Sequence, residues 1–175
     1  MSSFPNEISV VFDVQELYYL PQYLPIHCEL LKRGQIDTCF VFYRGQFDAV
    51  VQKIIEAENL NYHWVKNKSE ANSLYQTKKA DWVFFSNTFP FLDDVHTVSK
   101  SAQIGHGIGA KASYYNQSDS PTTVRFVEGK YKKNRLKSMY PNNKFIDVGF
   151  SKLDPIFNGE TCGLDLDSLK LDPSK

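Results

Sequence analysis

Short runs rich in β-branched and aromatic residues alternate along this chain with segments of helical apolar spacing, and that alternation limits the fold more than any other feature. Ile8–Val14 (ISVVFDV) reads as a first strand and Ile36–Tyr43 (IDTCFVFY) as a second. The second is almost wholly apolar, as expected of a parallel strand covered on both faces. Asn61–Val65, Ala80–Ser86 (ADWVFFS), Ala102–Gly105, Val124–Val127 and Lys144–Val148 continue the series. Between the first two strands, Leu20, Leu24, Ile26, Leu30 and Leu31 recur at helical spacing. Pro21 and Pro25 place the start of that helix near Pro25, with a loop before it, and Gly34 is its stop. Phe47–Leu60 is a second helix, with Val50, Val51, Ile54 and Ile55 toward the core. A polar third spans Ser69–Lys79 with Ser69 as N-cap. Phe89 to Ser99 is a loop with a short helix, and Tyr114–Thr123, rich in Asn, Ser, Asp and Pro, is a loop. Lys130–Tyr140 is a basic helix ended by Pro141. Strands alternating with helices mean an α/β domain, Rossmann-like, with a mostly parallel sheet and helices on both faces. The pattern fades after Asp154, so residues 1–158 form the domain and 159–175 a linker or tail.

The 175 residues suffice for one domain, and a hydrophobic content of 42% can build its core. Lys and Arg together number 20, as do Asp and Glu, so nothing argues for bulk nucleic-acid binding. No apolar stretch approaches the roughly 20 residues of a membrane span, and the N-terminus lacks the basic-then-apolar order of a secretory signal. Cys28, Cys39 and Cys162 make neither a zinc pattern nor a disulfide framework, which points to a reduced, cytoplasmic setting. No cofactor and no metal are expected.

The chemistry concentrates in Gly105-His106-Gly107-Ile108-Gly109-Ala110-Lys111. Gly105, Gly107 and Gly109 let the backbone turn and approach a ligand. His106 can exchange a proton near neutral pH, and Lys111 can hold a phosphate as a point charge. In open α/β sheets ligands bind outside the carboxyl ends of strands, and His106 directly follows one. Two competing readings exist. His106 is a structural histidine in a tight turn, or Gly105, Gly107 and Ala110, with Glu128 further on, form a dinucleotide fingerprint. The fingerprint needs a full helix after its glycines, and Tyr114–Thr123 soon breaks one. Of the other histidines, His27 reads as a packing residue and His63, between Tyr62 and Trp64 on a strand, as a structural one. His96, after Asp93 and Asp94, lacks a second His or Cys at metal spacing. Arg44, just past the second strand, either touches a phosphate or caps the turn. Lys130, Lys132, Lys133, Arg135 and Lys137 read as a solvated face, or as attraction to an anionic membrane surface or polyanionic substrate.

Three segments together resemble the N-terminal half of the CDP-glycerol glycerophosphotransferases, the teichoic-acid and capsule polymerase family. Ala80–Asn87 resembles the strand and turn before the motif, Gly105–Lys111 resembles H-G-x-x-x-K, and Gly149-Phe150-Ser151-Lys152-Leu153-Asp154 resembles G-x-x-R-x-D with lysine in place of arginine. The resemblance implies the N-terminal, acceptor-side half of a GT-B architecture. It also implies transfer of a phosphoglycerol-type group from a CDP-linked donor to a hydroxyl of a cell-surface polymer or lipid-linked acceptor, peripherally at the inner face of a bacterial membrane. By that resemblance His106 is the general base, Lys111 stabilises phosphate charge, Asn87 belongs to the substrate site and Asp154 helps tie the domains. The chain departs from the family at Ile108-Gly109, where Thr-Pro is common, and a second, nucleotide-binding domain would lie outside it. A nucleotide-sugar glycosyltransferase or epimerase of the same fold is the alternative, and a non-catalytic module binding a phosphorylated ligand is a third reading.

Overall fold

The computed structural model describes residues 7–105, 107 and 112–159. Seven strands, β1 (Ile8–Val14), β2 (Ile36–Tyr43), β3 (Tyr62–Val65), β4 (Trp82–Phe85), β5 (Lys100–Ile104), β6 (Val124–Val127) and β7 (Phe145–Asp147), form one sheet in the order β3-β2-β1-β4-β5-β6-β7. Every pairing is parallel. The helices are α1 (Leu20–Arg33), α2 (Asp48–Ala57), α3 (Lys68–Lys78), α4 (Leu92–His96), α5 (Ala112–Asn116), α6 (Lys130–Met139) and α7 (Asp154–Phe157). The chain reverses its direction of travel across the sheet between β1 and β4. In a doubly wound sheet this is the switch point, where the loops at the strands' carboxyl ends diverge and leave a crevice.

The apolar run in β2 has the predicted cause. From Thr38 to Phe42 both faces are buried. On one side Phe12, Phe40 and Phe42 pack with Leu20 and Tyr23 of α1 and Val51 and Ile55 of α2. On the other, Val11, Val41, Val83 and Phe85 pack with Ala71 and Tyr75 of α3 and Val95 of α4. A smaller cluster of Tyr115, Val127 and Leu136 joins α5 and α6 to the sheet.

Several local expectations give way. The first helix begins at Leu20 rather than Pro25, after a 3-10 turn at Leu17–Tyr19. Pro21 lies in the first turn, where no N–H is needed, and Pro25 forfeits only one internal bond. Burial of Leu20, Tyr23 and His27 outweighs that loss. In α2 the buried stripe is Val51 and Ile55, while Val50 sits at its edge and is exposed. The cap of α3 is Asn67 instead of Ser69. Its side chain accepts from the Glu70 N–H at 3.0 Å, and the Glu70 carboxylate reaches back to the Lys66 N–H at 2.8 Å. Residues 114–116 are helical, not loop, because Tyr115 is drawn into the third cluster. Gly34 does end α1, at φ +71°.

The basic helix is not simply a solvated face. Lys132 is buried and donates to Glu128 Oε1 at 2.7 Å, Lys133 donates to Asp147, and the Arg135 guanidinium lies 4.3 Å from the centre of the Tyr115 ring. These cations fasten α6 to β6, β7 and α5. His27 packs as expected, buried against Phe40 and hydrogen-bonded to the Thr38 hydroxyl at 2.8 Å. His63 lies on edge strand β3, with its side chain exposed. No helix of the described residues is long and apolar enough to cross a membrane.

Candidate functional site

Of the residues singled out in the sequence, those that are described, Arg44, Asn87, Gly105, Gly107 and Asp154, fall at the carboxyl edge of the sheet, in two neighbourhoods. The first lies past β5, β6 and β7. Gly105 follows Ile104 at the end of β5. It lines a cavity of about 270 Å³ together with Phe84, Phe126, Glu128, Gly149 and Asp154. Two segments 44 residues apart in sequence, Gly105 and Gly149–Asp154, thus meet at one cavity. Gly149 takes φ +84°, a conformation glycine adopts without strain, and the chain then turns so that the Ser151 hydroxyl donates to the Gln22 carbonyl at 2.9 Å. This bond ties the segment onto α1 and brings Asp154 to the rim. Gly107 lies against Tyr114, whose hydroxyl is 3.6 Å from where a β-carbon would stand. His106, Gly109 and Lys111 lie outside the described residues, so their roles rest on the sequence.

Glu128, at the end of β6, is the residue here that the sequence reading met only as part of a rejected fingerprint. Its Oε1 is held by Lys132, and a β-carbon on Gly105 would stand 3.7 Å from that oxygen. Its Oε2 is shielded from water and has no donor among the described residues. Beneath, on the opposite face of the sheet, Arg125 donates to the Gln103 side chain at 2.9 Å. Burial pushes the Arg125 guanidinium down to about 10.

The second neighbourhood is the switch point between β1 and β4, and its key residue was missed. Asp13 is fully buried. Its Oδ1 accepts from the hydroxyls of Tyr75 at 2.7 Å and Tyr43 at 2.9 Å, and its Oδ2 from Gln15 Nε2 at 2.6 Å. Burial raises the Asp13 carboxyl above the usual range, and these donors only partly offset it. The same burial, with Asp13 beside them, pushes the Tyr43 and Tyr75 hydroxyls upward, so both remain donors. A signal existed in the sequence: Asp13 is the one charged residue in the run ISVVFDV. Above this network lies a polar pocket of about 420 Å³, lined by Gln15, Tyr19, Tyr43, Lys68 and Asn87.

Asn87 does reach this edge. Its amide donates to the Tyr19 hydroxyl at 3.3 Å, and its carbonyl oxygen accepts from the Thr88 N–H at 2.8 Å. Arg44 sits at the end of β2, beside the Gln15–Glu16 loop. It lies 4.1 Å from the Trp64 ring centre and 3.3 Å from Asp48. The cap of that turn is Asp48, which accepts from the Gly45 N–H at 2.7 Å, while the Arg44 side chain is half exposed. Among the described residues no group of three or more His, Cys, Asp or Glu side chains could hold a metal ion.

No protein-family model matches the chain, and no curated protein matches it in sequence. Solved structures do match in fold. A Listeria monocytogenes protein described as a UDP-N-acetylglucosamine 2-epimerase aligns with 94% of this chain and 52% of its own, at a TM-score of 0.68 and 13% identity. The UDP-GlcNAc 2-epimerase of Neisseria meningitidis, solved with UDP-GlcNAc, aligns with 93% of this chain and 50% of its own, at 0.59 and 15%. A glycosyltransferase of Rickettsia africae aligns with 83% and 43%, at 0.59 and 13%. The chain spans about half the length of the structures it matches. At these identities the likeness is one of fold, and the seven-stranded parallel sheet with helices on both sides is the Rossmann-like fold of these GT-B neighbours.

Proposed function

We propose that this chain is the N-terminal, acceptor-side domain of a GT-B enzyme that works on a nucleotide-linked sugar, as a glycosyltransferase or an epimerase. The observation that carries this reading is the meeting of Gly105 and Gly149–Asp154 at one cavity on the carboxyl edge of the sheet, directly before His106 in the chain. The fold neighbours support a sugar nucleotide in preference to CDP-glycerol. In transfer, a neutral His106 would take the proton of an acceptor hydroxyl as its oxygen attacks the anomeric carbon, and the nucleoside diphosphate would leave. Lys111 would meet the charge that develops on the departing phosphates.

A second reading, transfer of glycerol phosphate from CDP-glycerol to a polymer hydroxyl, is supported by the Gly105–Lys111 and Gly149–Asp154 motifs. There the acceptor oxygen attacks the β-phosphorus and CMP leaves. The polypeptide encoded by the complete reading frame should be incubated separately with UDP-GlcNAc and with CDP-glycerol, and the products identified by mass spectrometry. UDP or an epimerised sugar nucleotide is expected. CMP would establish the second reading in place of the first. Turnover of neither donor would contradict both and favour a non-catalytic module binding a phosphorylated ligand.

A further inference from the structure

Two glycines flank His106 in the sequence, and one cluster of side chains lies against both. A β-carbon on Gly105 would stand 3.7 Å from Glu128 Oε1 and 3.8 Å from the Gly107 carbonyl oxygen. A β-carbon on Gly107 would stand 3.6 Å from the Tyr114 hydroxyl. Lys132 joins the two contacts, since its ammonium donates to Glu128 Oε1 at 2.7 Å and lies 5.7 Å from the centre of the Tyr114 ring. A carboxylate from the end of β6, an ammonium from α6 and a phenol from α5 thus meet at the residues on either side of His106.

Shielding makes these charges count. The Lys132 and Glu128 side chains are only 11% and 15% exposed, so salt and water screen them less than a surface pair. Their charges cancel in sum but not in position, because among the described residues the charged atom within 4 Å of the Gly105 β-position is Glu128 Oε1. His106 follows one peptide unit later, about 3.8 Å between α-carbons. That step keeps it inside the Debye length of about 10 Å at 0.1 M salt. A negative charge at such range favours the protonated imidazole and so raises its proton affinity. A general base gains strength from this while its pKa stays near the working pH. The other titratable groups at this end are Tyr114, Asp154 on the cavity, the Lys133–Asp147 pair and Lys111 in the motif, with Arg125 on the opposite face of the sheet.

We propose that Glu128 is a positioning residue for the reaction: fixed by Lys132 against Gly105, it raises the proton affinity of His106. The assignment rests on the reading of His106 as the general base. Glu128 lies outside the three segments that carry the family resemblance, so it adds a residue that those motifs do not contain.

The test is an NMR pH titration of the 175-residue chain that follows the imidazole C–H signals of its four histidines. Glu128→Gln keeps an oxygen for Lys132 and removes the negative charge, and it should lower the His106 midpoint by about one pH unit. The exchange Glu128→Lys/Lys132→Glu keeps an ion pair, and with it the fold, but reverses its direction. It should lower the same midpoint by about half a unit. His63, on the edge strand β3, and His96, at the amino end of β5, should not move in either variant. An unchanged or raised His106 midpoint in the exchange variant would overturn the proposal, as would equal shifts at His63 and His96. The titration needs no donor and no turnover. In the polypeptide from the complete reading frame, the acid limb of kcat/KM should move with the His106 midpoint. A midpoint that moves while the limb stays defeats the general-base reading and leaves the assignment of Glu128 standing, whereas a midpoint that stays defeats that assignment alone.

Discussion

The two halves of the sheet are built differently. β3, β2, β1 and β4 carry a large apolar cluster on each face, with Phe12 packed between Phe40 and Phe84 at centroid distances of 4.9 and 5.3 Å. β5, β6 and β7 carry one small cluster on one face and the cavity on the other. Their helices are fixed by ion pairs and a cation–ring contact more than by a thick core. The first half is a scaffold that tolerates one buried carboxylate because three side chains donate to it. In the second half the Glu128 Oε2 oxygen has no donor among the described residues, and that half carries the Gly105–Lys111 sequence. The contrast teaches that the stable half holds the strand ends in place while the thinner half leaves room for a ligand.

Core truncation should break this comparison most visibly if it is wrong. Phe40→Ala removes a fully buried ring and should cost about 3–5 kcal/mol in urea unfolding, whereas Phe126→Ala, in the half-buried wall of the cavity, should cost about 1–2 kcal/mol. Equal losses would show that the halves are packed alike.

Next in size is the Asp13 network. Tyr75→Phe leaves a buried oxygen short of a donor and should cost about 1–3 kcal/mol. Because burial raises Asp13, the folded state holds its proton more tightly than the unfolded chain does. Its contribution to stability is therefore fully present below the ordinary aspartate range and is lost as pH rises through the raised value. Asp81, at the opposite end of the sheet, accepts from the Ser9 N–H at 2.8 Å and the Ser9 hydroxyl at 2.9 Å, and these bonds lower it. Its contribution is present above the ordinary range and is lost as pH falls through the lowered value. Melting temperatures of Asp13→Asn and Asp81→Asn against pH should thus diverge from wild type at opposite ends of the acid range, and parallel profiles would refute the assignment. Smallest is Asn67→Ala, which removes the α3 cap and should cost about 1 kcal/mol in the same unfolding assay.

Much of the scaffold was legible in the sequence because burial on both faces leaves continuous apolar runs. Ile8–Val14, Ile36–Tyr43 and Val124–Val127 have the predicted bounds. What could not be read depended on distant partners. Pro25 looked like a helix start until α1 was seen to gain more by burying Leu20 and Tyr23 than it loses in one bond. Tyr115 sits in a polar stretch that reads as loop, and becomes helical because Val127 and Leu136 cover it. Lys133 looked solvated because its partner, Asp147, is fourteen residues away. At the candidate site, the predicted strand end gave Gly105 its location. Asp13 and Glu128 remained hidden, since one carboxylate in a strand acquires meaning only from what surrounds it.

The central claim is that the chain's chemistry belongs to the segment after β5. The most direct measurement is kcat for the His106→Ala variant of the polypeptide from the complete reading frame, on whichever donor the wild type turns over, with melting temperature recorded alongside. Loss of a proton-transfer catalyst should lower kcat by about 10²–10⁴-fold, with the melting temperature unchanged. Retention of wild-type turnover by a folded His106→Ala protein would contradict the account.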